Sequence, residues 1–233
     1  MKTIGLIGGM SWESTVMYYQ VINREVARRR GGLSSARLLL DSLDFDKVVQ
    51  QQKAGQWDSL AALLSGSARG LVQAGADCVL IGTNTMHRVA REVQAAVTVP
   101  LIHIADVTGH AMLGRGCRTV SLLGTRYTME QTFYVEHLAR LGIECRVPDP
   151  ADRDEVHRII FEELCQGVFA PRSRQRLQEI VESQAARGAQ GVVLGCTELP
   201  LILKPEDVAL PLFDTTTLHA IAAVDFALAG EAP

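Results

Sequence analysis

A chain of 233 residues, 47% hydrophobic and 21% charged, with a formal net charge of −3 and a pI of about 6.1, can bury a core as one large domain or two small ones. The slightly acidic balance excludes the basic face that a nucleic-acid partner demands, and no apolar run approaches the ~20 residues that span a bilayer. Five cysteines, at 78, 117, 145, 165 and 196, form no CxxC pair and no ligand spacing with histidine, so they read as free thiols of a reducing, cytoplasmic compartment.

The opening MKTIGLIGGM is too short and glycine-rich for a leader, and residues 3–9 are a first strand. A helix starts near MSWEST and runs to Arg28-Arg29-Arg30, cations suited to a helix C-terminus, with Gly31-Gly32 ending it. Residues 36–43 form a second strand, 56–73 a long helix with Gly75 as terminator, and 78–84 a third strand. A helix through Val89 to Ala96 precedes a fourth strand at 99–106. The pattern then restarts. A strand at 119–125, a helix through Tyr134 to Leu141 and a strand at 143–148 are followed by helices over 154–167 and 172–187. A strand at 191–197 and the stretch 210–217 precede the last helix. Apolar strands alternating with amphipathic helices predict an α/β fold with parallel sheets covered on both faces.

The restart is an internal repeat. Thr3–Gly8 matches Thr119–Gly124 at an offset of 116, AGADCVLIGT matches RGAQGVVLGC at 113, and VPLIHIAD matches ALPLFDTT at 111. Two pseudo-symmetric Rossmann-like halves facing a central cleft are therefore expected, the first from 1–100 with 212–233 and the second from 101–211. Ligands of open α/β sheets sit at the carboxyl ends of strands. Thr83 and Cys196 occupy equivalent strand ends, on opposite sides of one small ligand, as removing a proton from one face of a carbon and returning one to the other requires.

Cys196 lies between a glycine and the polar Thr197-Glu198, and a helix N-terminus after it would lower its pKa and favour thiolate. Asn84, Thr85, Thr197 and the Gly9-Met10-Ser11 turn supply donors for a developing carbanion. Thr125 holds the place equivalent to that turn, suited to a carboxylate. Glu198 either tunes the thiol or caps the next helix, and His87 reads as a satisfied structural histidine with a supporting contact to Thr83 or Asn84 as the alternative. The other cysteines read as packing or surface residues. The four lysines, Lys2, Lys47, Lys53 and Lys204, offer no Schiff-base position at a strand end, so no pyridoxal cofactor is expected. No metal is expected either.

GGMSWEST, GTNTMH and GCTELP together resemble the aspartate/glutamate/hydantoin racemase superfamily, closest to its aspartate racemase branch with the broad-specificity amino-acid racemases. The resemblance covers the whole chain. It implies a two-domain pseudo-symmetric α/β fold, a homodimer, and cofactor-free racemisation of aspartate, glutamate or a broader set of amino acids by two thiols. Cys196 matches the second family cysteine. Where the family reads CNTAH this chain has Thr83, so the implied catalytic pair is Cys196 and Thr83. Family members use Arg or Lys for a substrate carboxylate, and the nearest alignments here offer Gln52 and Cys165. Met10, Gln52, Asn84, Thr85, Thr125, Thr197 and Glu198 are the expected substrate contacts. A single-cysteine decarboxylase or isomerase of the same superfamily, and an amino-acid-binding protein without turnover, stay open as alternatives.

Overall fold

Strand β1 (Ile4–Gly8) is buried along its whole length, without polar alternation, as a parallel strand covered on both faces must be. In the computed structural model, which describes residues 1–230, it is the middle of a parallel sheet ordered β2-β1-β3, with β2 Leu38–Ser42 and β3 Cys78–Ile81. Helix α1 (Trp12–Arg30) is capped by Ser11, carries Arg28, Arg29 and Arg30 in its last turn, and ends at Gly31 with φ 73°. Its Tyr18, Ile22 and Val26 cover Ile4, Leu6 and Leu80 together with Ala220, Ala223 and Val224 of the C-terminal helix. On another layer α2 (Phe45–Lys53) and α3 (Trp57–Gln73) bring Val48, Leu60, Leu64 and Ala68 against Ile7, Val79 and Ile81. A 3-10 turn (Thr85–Val89) and α4 (Ala90–Ala95) follow β3.

The second sheet is ordered β5-β4-β6-β7, also parallel. In chain order come α5 (Ile104–Gly114), β4 (Thr119–Leu123), α6 (Arg126–Glu130), α7 (Thr132–Arg140), β5 (Glu144–Arg146) and α8 (Pro150–Arg158). A π turn (Ile159–Glu163) and a 3-10 turn (Leu164–Gln166) lead to α9 (Pro171–Ala186), β6 (Val192–Leu194), α10 (Leu199–Ile202), β7 (Leu212–Asp214) and α11 (Thr215–Leu228). Two compact units divide the chain, Met1–Ile104 with the residues from His219 onward, and Ala105–Leu218. β7 pairs with β6, so residues 212–214 lie in the second sheet and the return to the first unit comes at His219. Among the described residues no helix is long and apolar enough to cross a membrane.

The repeat is visible bond for bond. Gly82 N–H donates to Ile7 O at 2.8 Å, and its counterpart Gly195 donates to Leu123 O at 2.7 Å. Val79 N–H reaches Pro100 O at 3.0 Å, and Val192 reaches Pro211 O at 2.9 Å. The halves part company at the expected fourth strand. Residues 99–106 reduce to one parallel bridge, Val79 with Leu101, because the Ile102 carbonyl is taken by the His219 ring at 2.7 Å and α5 begins at Ile104. Its counterpart 212–214 is a full strand. The helix expected over 154–167 is likewise broken, by the π and 3-10 turns, and α2 lies where the sequence pattern indicated no helix.

Candidate active site

Strand ends build each half. In the first unit the turn after β1 needs Gly9, which sits at φ 81° and whose missing Cβ leaves room for the Leu43 backbone. Gly9 N–H donates to Thr15 Oγ1 at 2.8 Å, and that hydroxyl donates to Ser11 O at 2.9 Å. Beside this turn, Thr83 follows β3. Its N–H reaches Ile81 O at 2.8 Å and its carbonyl lies 2.8 Å from His87 Nδ1. Thr83 is half-buried, while Asn84, Thr85 and His87 are buried in the turn that follows. Met10 packs into the core with Ile7, Val48 and Met86, and Gln52 is buried in the last turn of α2.

In the second unit Gly195 lets the β6 end pass close to β4. A Cβ there would stand 2.7 Å from Leu122 Cδ1 and 3.1 Å from Leu123 O. Next comes Cys196, whose Sγ donates to Glu198 Oε2 at 3.0 Å, and the same oxygen accepts from Thr197 Oγ1 at 2.8 Å. Cys196 is 7% exposed and Glu198 4%. Burial, followed by the Glu198 charge, pushes the thiol well above its ordinary pKa. The expectation of a thiolate favoured by a helix N-terminus is therefore corrected. α10 is a single turn of four residues with little dipole to offer, and burial with a neighbouring carboxylate prevails. Thr197 spends its hydroxyl on Glu198 and so holds that carboxylate. Thr125 caps α6, accepting from Thr128 N at 3.4 Å with the two hydroxyls 3.2 Å apart.

The second unit thus sets a buried thiol and a buried carboxylate in direct hydrogen-bond contact. The profile of the Asp/Glu/hydantoin racemase family matches residues 7–223 of the 233. The chain belongs to this family. It is thus an isomerase, an amino-acid racemase by kinship. An Asp/Glu racemase candidate from Yersinia pestis shares 48% identity over 98% of this chain and 100% of its own, with a TM-score of 0.93. An aspartate racemase homologue from Pyrococcus horikoshii OT3 shares 36% over 97% of this chain and 99% of its own, with a TM-score of 0.85. The broad-specificity amino-acid racemase of Bacillus subtilis (strain 168) is 24% identical over 171 residues, 72% of each chain.

Two features of this racemase escaped the sequence. Cys165, read as a packing or surface residue, does pack, but the sequence did not indicate that its neighbour is the cluster that holds Cys196; burial, then the Glu198 charge, raises its thiol to about 12. It lies in the 3-10 turn that follows the π turn, and no periodicity announces either. Glu198 was balanced between tuning and capping. The Sγ contact puts it beside the thiol, and it caps nothing through its side chain.

Proposed function

We propose that this racemase inverts the α-carbon of aspartate, glutamate or a broader set of amino acids without pyridoxal phosphate or metal, as a cytoplasmic homodimer. Cys196 serves one face of the α-carbon and Thr83 the other. The observation that carries the reading is the Cys196–Glu198 contact at 3.0 Å. A buried neutral thiol cannot take a proton, but passing its own to the carboxylate makes a thiolate on demand. The thiolate then accepts the α-proton. The C–H electron pair stays on carbon as a carbanion, and an S–H bond forms.

Strand-end N–H groups and hydroxyls stabilise that carbanion as it develops. A new C–H bond forms on the opposite face with a proton from the Thr83 hydroxyl or from water it holds. Glu198 and solvent then restore the starting protonation. Threonine is a poor acid and a poorer base near neutral pH, so inversion is slow, since a positioned acid–base group contributes ~10²–10⁴-fold. In keeping with their family counterparts, Cys196 takes the proton of L-substrate, with Gln52, Met10, Asn84, Thr85 and Thr125 lining the substrate.

The test is incubation of each enantiomer of the common amino acids with the purified chain, read by chiral chromatography and carbon dioxide release. Racemisation, lost in Cys196→Ser with the fold intact, is expected. Release of carbon dioxide, binding without turnover, or wild-type activity in Cys196→Ser overturns the reading.

A further inference from the structure

A backbone amide can only donate. Ile104 N–H reaches His87 Nε2 at 3.2 Å, so Nε2 is the acceptor and the ring proton sits on Nδ1. Nδ1 in turn lies 2.8 Å from the Thr83 carbonyl, which can only accept. The two contacts together select the neutral Nδ1–H tautomer. His87 is 4% exposed, and its own amide donates to Asn84 O at 3.1 Å.

The far end of this clamp is itself anchored. Ile102 N–H donates to Val79 O at 3.0 Å, and Ile102 O accepts from His219 Nε2 at 2.7 Å. His219 accepts on Nδ1 from the Tyr18 hydroxyl at 2.8 Å. The segment that presents Ile104 to His87 is thus tied both to the sheet and to the helix layer over it. With Thr83 N–H on Ile81 O and Gly82 N–H on Ile7 O, the main chain at Thr83 is held at its amide, its carbonyl and the residue before it.

Among the described residues the other half is built differently at this place. The residue equivalent to His87 at the repeat offset is Pro200, which carries no ring N–H to donate, and the Cys196 carbonyl accepts the Leu199 amide at 3.2 Å. There the side chain is oriented instead, by Glu198. A thiol is guided by its own hydrogen bond, whereas Thr83 is aimed through its backbone.

We infer that His87 is a positioning residue for the Thr83 half of the reaction, a tautomer-locked imidazole that fixes the Thr83 main chain and so the line along which its hydroxyl meets the α-carbon. The inference rests on the proposed role of Thr83. Misplacement of a reacting group by about 1 Å costs on the order of 10²-fold.

Two variants separate positioning from general support. An asparagine amide reaches the Nδ1 place and can donate to Thr83 O, while a glutamine reaches the Nε2 place and serves Ile104 alone. His87→Asn is expected to keep most inversion. His87→Gln is expected to lose about 10²-fold in inversion while deuterium exchange into recovered L-substrate, on the Cys196 side, changes less than several-fold. Equal losses of exchange and inversion in His87→Gln, or no loss in either variant, overturn the inference. Nitrogen NMR of the imidazole in the wild-type chain is independent of turnover. An Nδ1–H tautomer is expected, and an Nε2–H tautomer overturns the clamp even if catalysis is as proposed. Should the wild-type chain show neither exchange nor inversion while the Nδ1–H tautomer is found, the clamp stands and the reading of the reaction fails.

Discussion

Cys196 Sγ and Glu198 Oε2 stand 3.0 Å apart inside a shell that leaves neither residue more than 7% exposed. The charge of the carboxylate is one of the causes that keep the proton on sulfur, and in the proposed reaction the same carboxylate is the base that removes it. These two effects pull activity in opposite directions, and one substitution separates them.

Glu198→Gln removes the negative charge, one of the causes that raise the thiol, so alkylation of Cys196 should reach its half-maximal rate at lower pH than in the wild type. Burial is the larger cause and stays, so the thiol remains above its ordinary value. Turnover should nevertheless fall by ~10²-fold, because an amide cannot accept the proton. Easier alkylation with poorer racemisation is the expected pair. A variant that alkylates at lower pH and turns over normally shows that Glu198 tunes the thiol without relaying its proton.

Thr83→Cys places a thiol at the repeat equivalent of Cys196 with little change in volume. Inversion should rise, by up to ~10²-fold, since a thiol is a far better acid, and its thiolate a far more available base, than a threonine hydroxyl near neutral pH. Steady-state rates of both enantiomers, with a melting curve as control, measure it. An unchanged or lower rate in a folded variant shows that Thr83 does not meet the second face of the substrate.

Much of this was readable from the chain because it depends on short-range pattern. The glycines at strand ends and the short motifs whose matched offsets pair Thr83 with Cys196 are local, and the structure repeats them as equivalent hydrogen bonds at Gly82 and Gly195. What stayed hidden depends on contacts far apart in sequence. Ile102 reads as strand, but its carbonyl goes to a histidine 117 residues away, and the ladder stops there. Cys165 reads as a packing or surface residue, and only the fold shows that the cluster it packs against is the one that holds Cys196. The direction of the Cys196 shift was misread because a helix dipole is visible in sequence and burial is not.

His219 supplies a pH-dependent stability. It is fully buried between Tyr18 and Ile102, and burial lowers its pKa from 6.5 to about 4. Above the unfolded value the ring is neutral in both states and the stability is complete. As pH falls through this window the unfolded chain takes the proton first, and stability is lost until the folded pKa is passed. The loss is on the order of 3 kcal/mol. Urea midpoints should therefore drop between pH 6.5 and about 4, and His219→Gln, less stable at neutral pH, should show a flatter profile there. An equally steep profile in the variant assigns the acid sensitivity to other groups.

Enantiomers have equal free energy in water, so the equilibrium constant is one, and kcat/KM must be the same from either side whatever Thr83 contributes. Isotope exchange is under no such constraint. In heavy water Cys196 can take the α-proton of L-substrate, exchange it through Glu198 with solvent and return a deuteron to the same face before Thr83 delivers one to the other. L-substrate should thus gain deuterium faster than D-product appears, and exchange into recovered D-substrate should lag behind its inversion. Proton NMR of the α-position, run beside chiral chromatography, measures both rates on one sample. If D-substrate gains deuterium ahead of its inversion and L-substrate does not, Cys196 serves the opposite face. If neither enantiomer exchanges without inverting, the thiol proton does not reach solvent through Glu198 within the lifetime of the carbanion, and the hydrogen bond at 3.0 Å holds the side chain without relaying its proton.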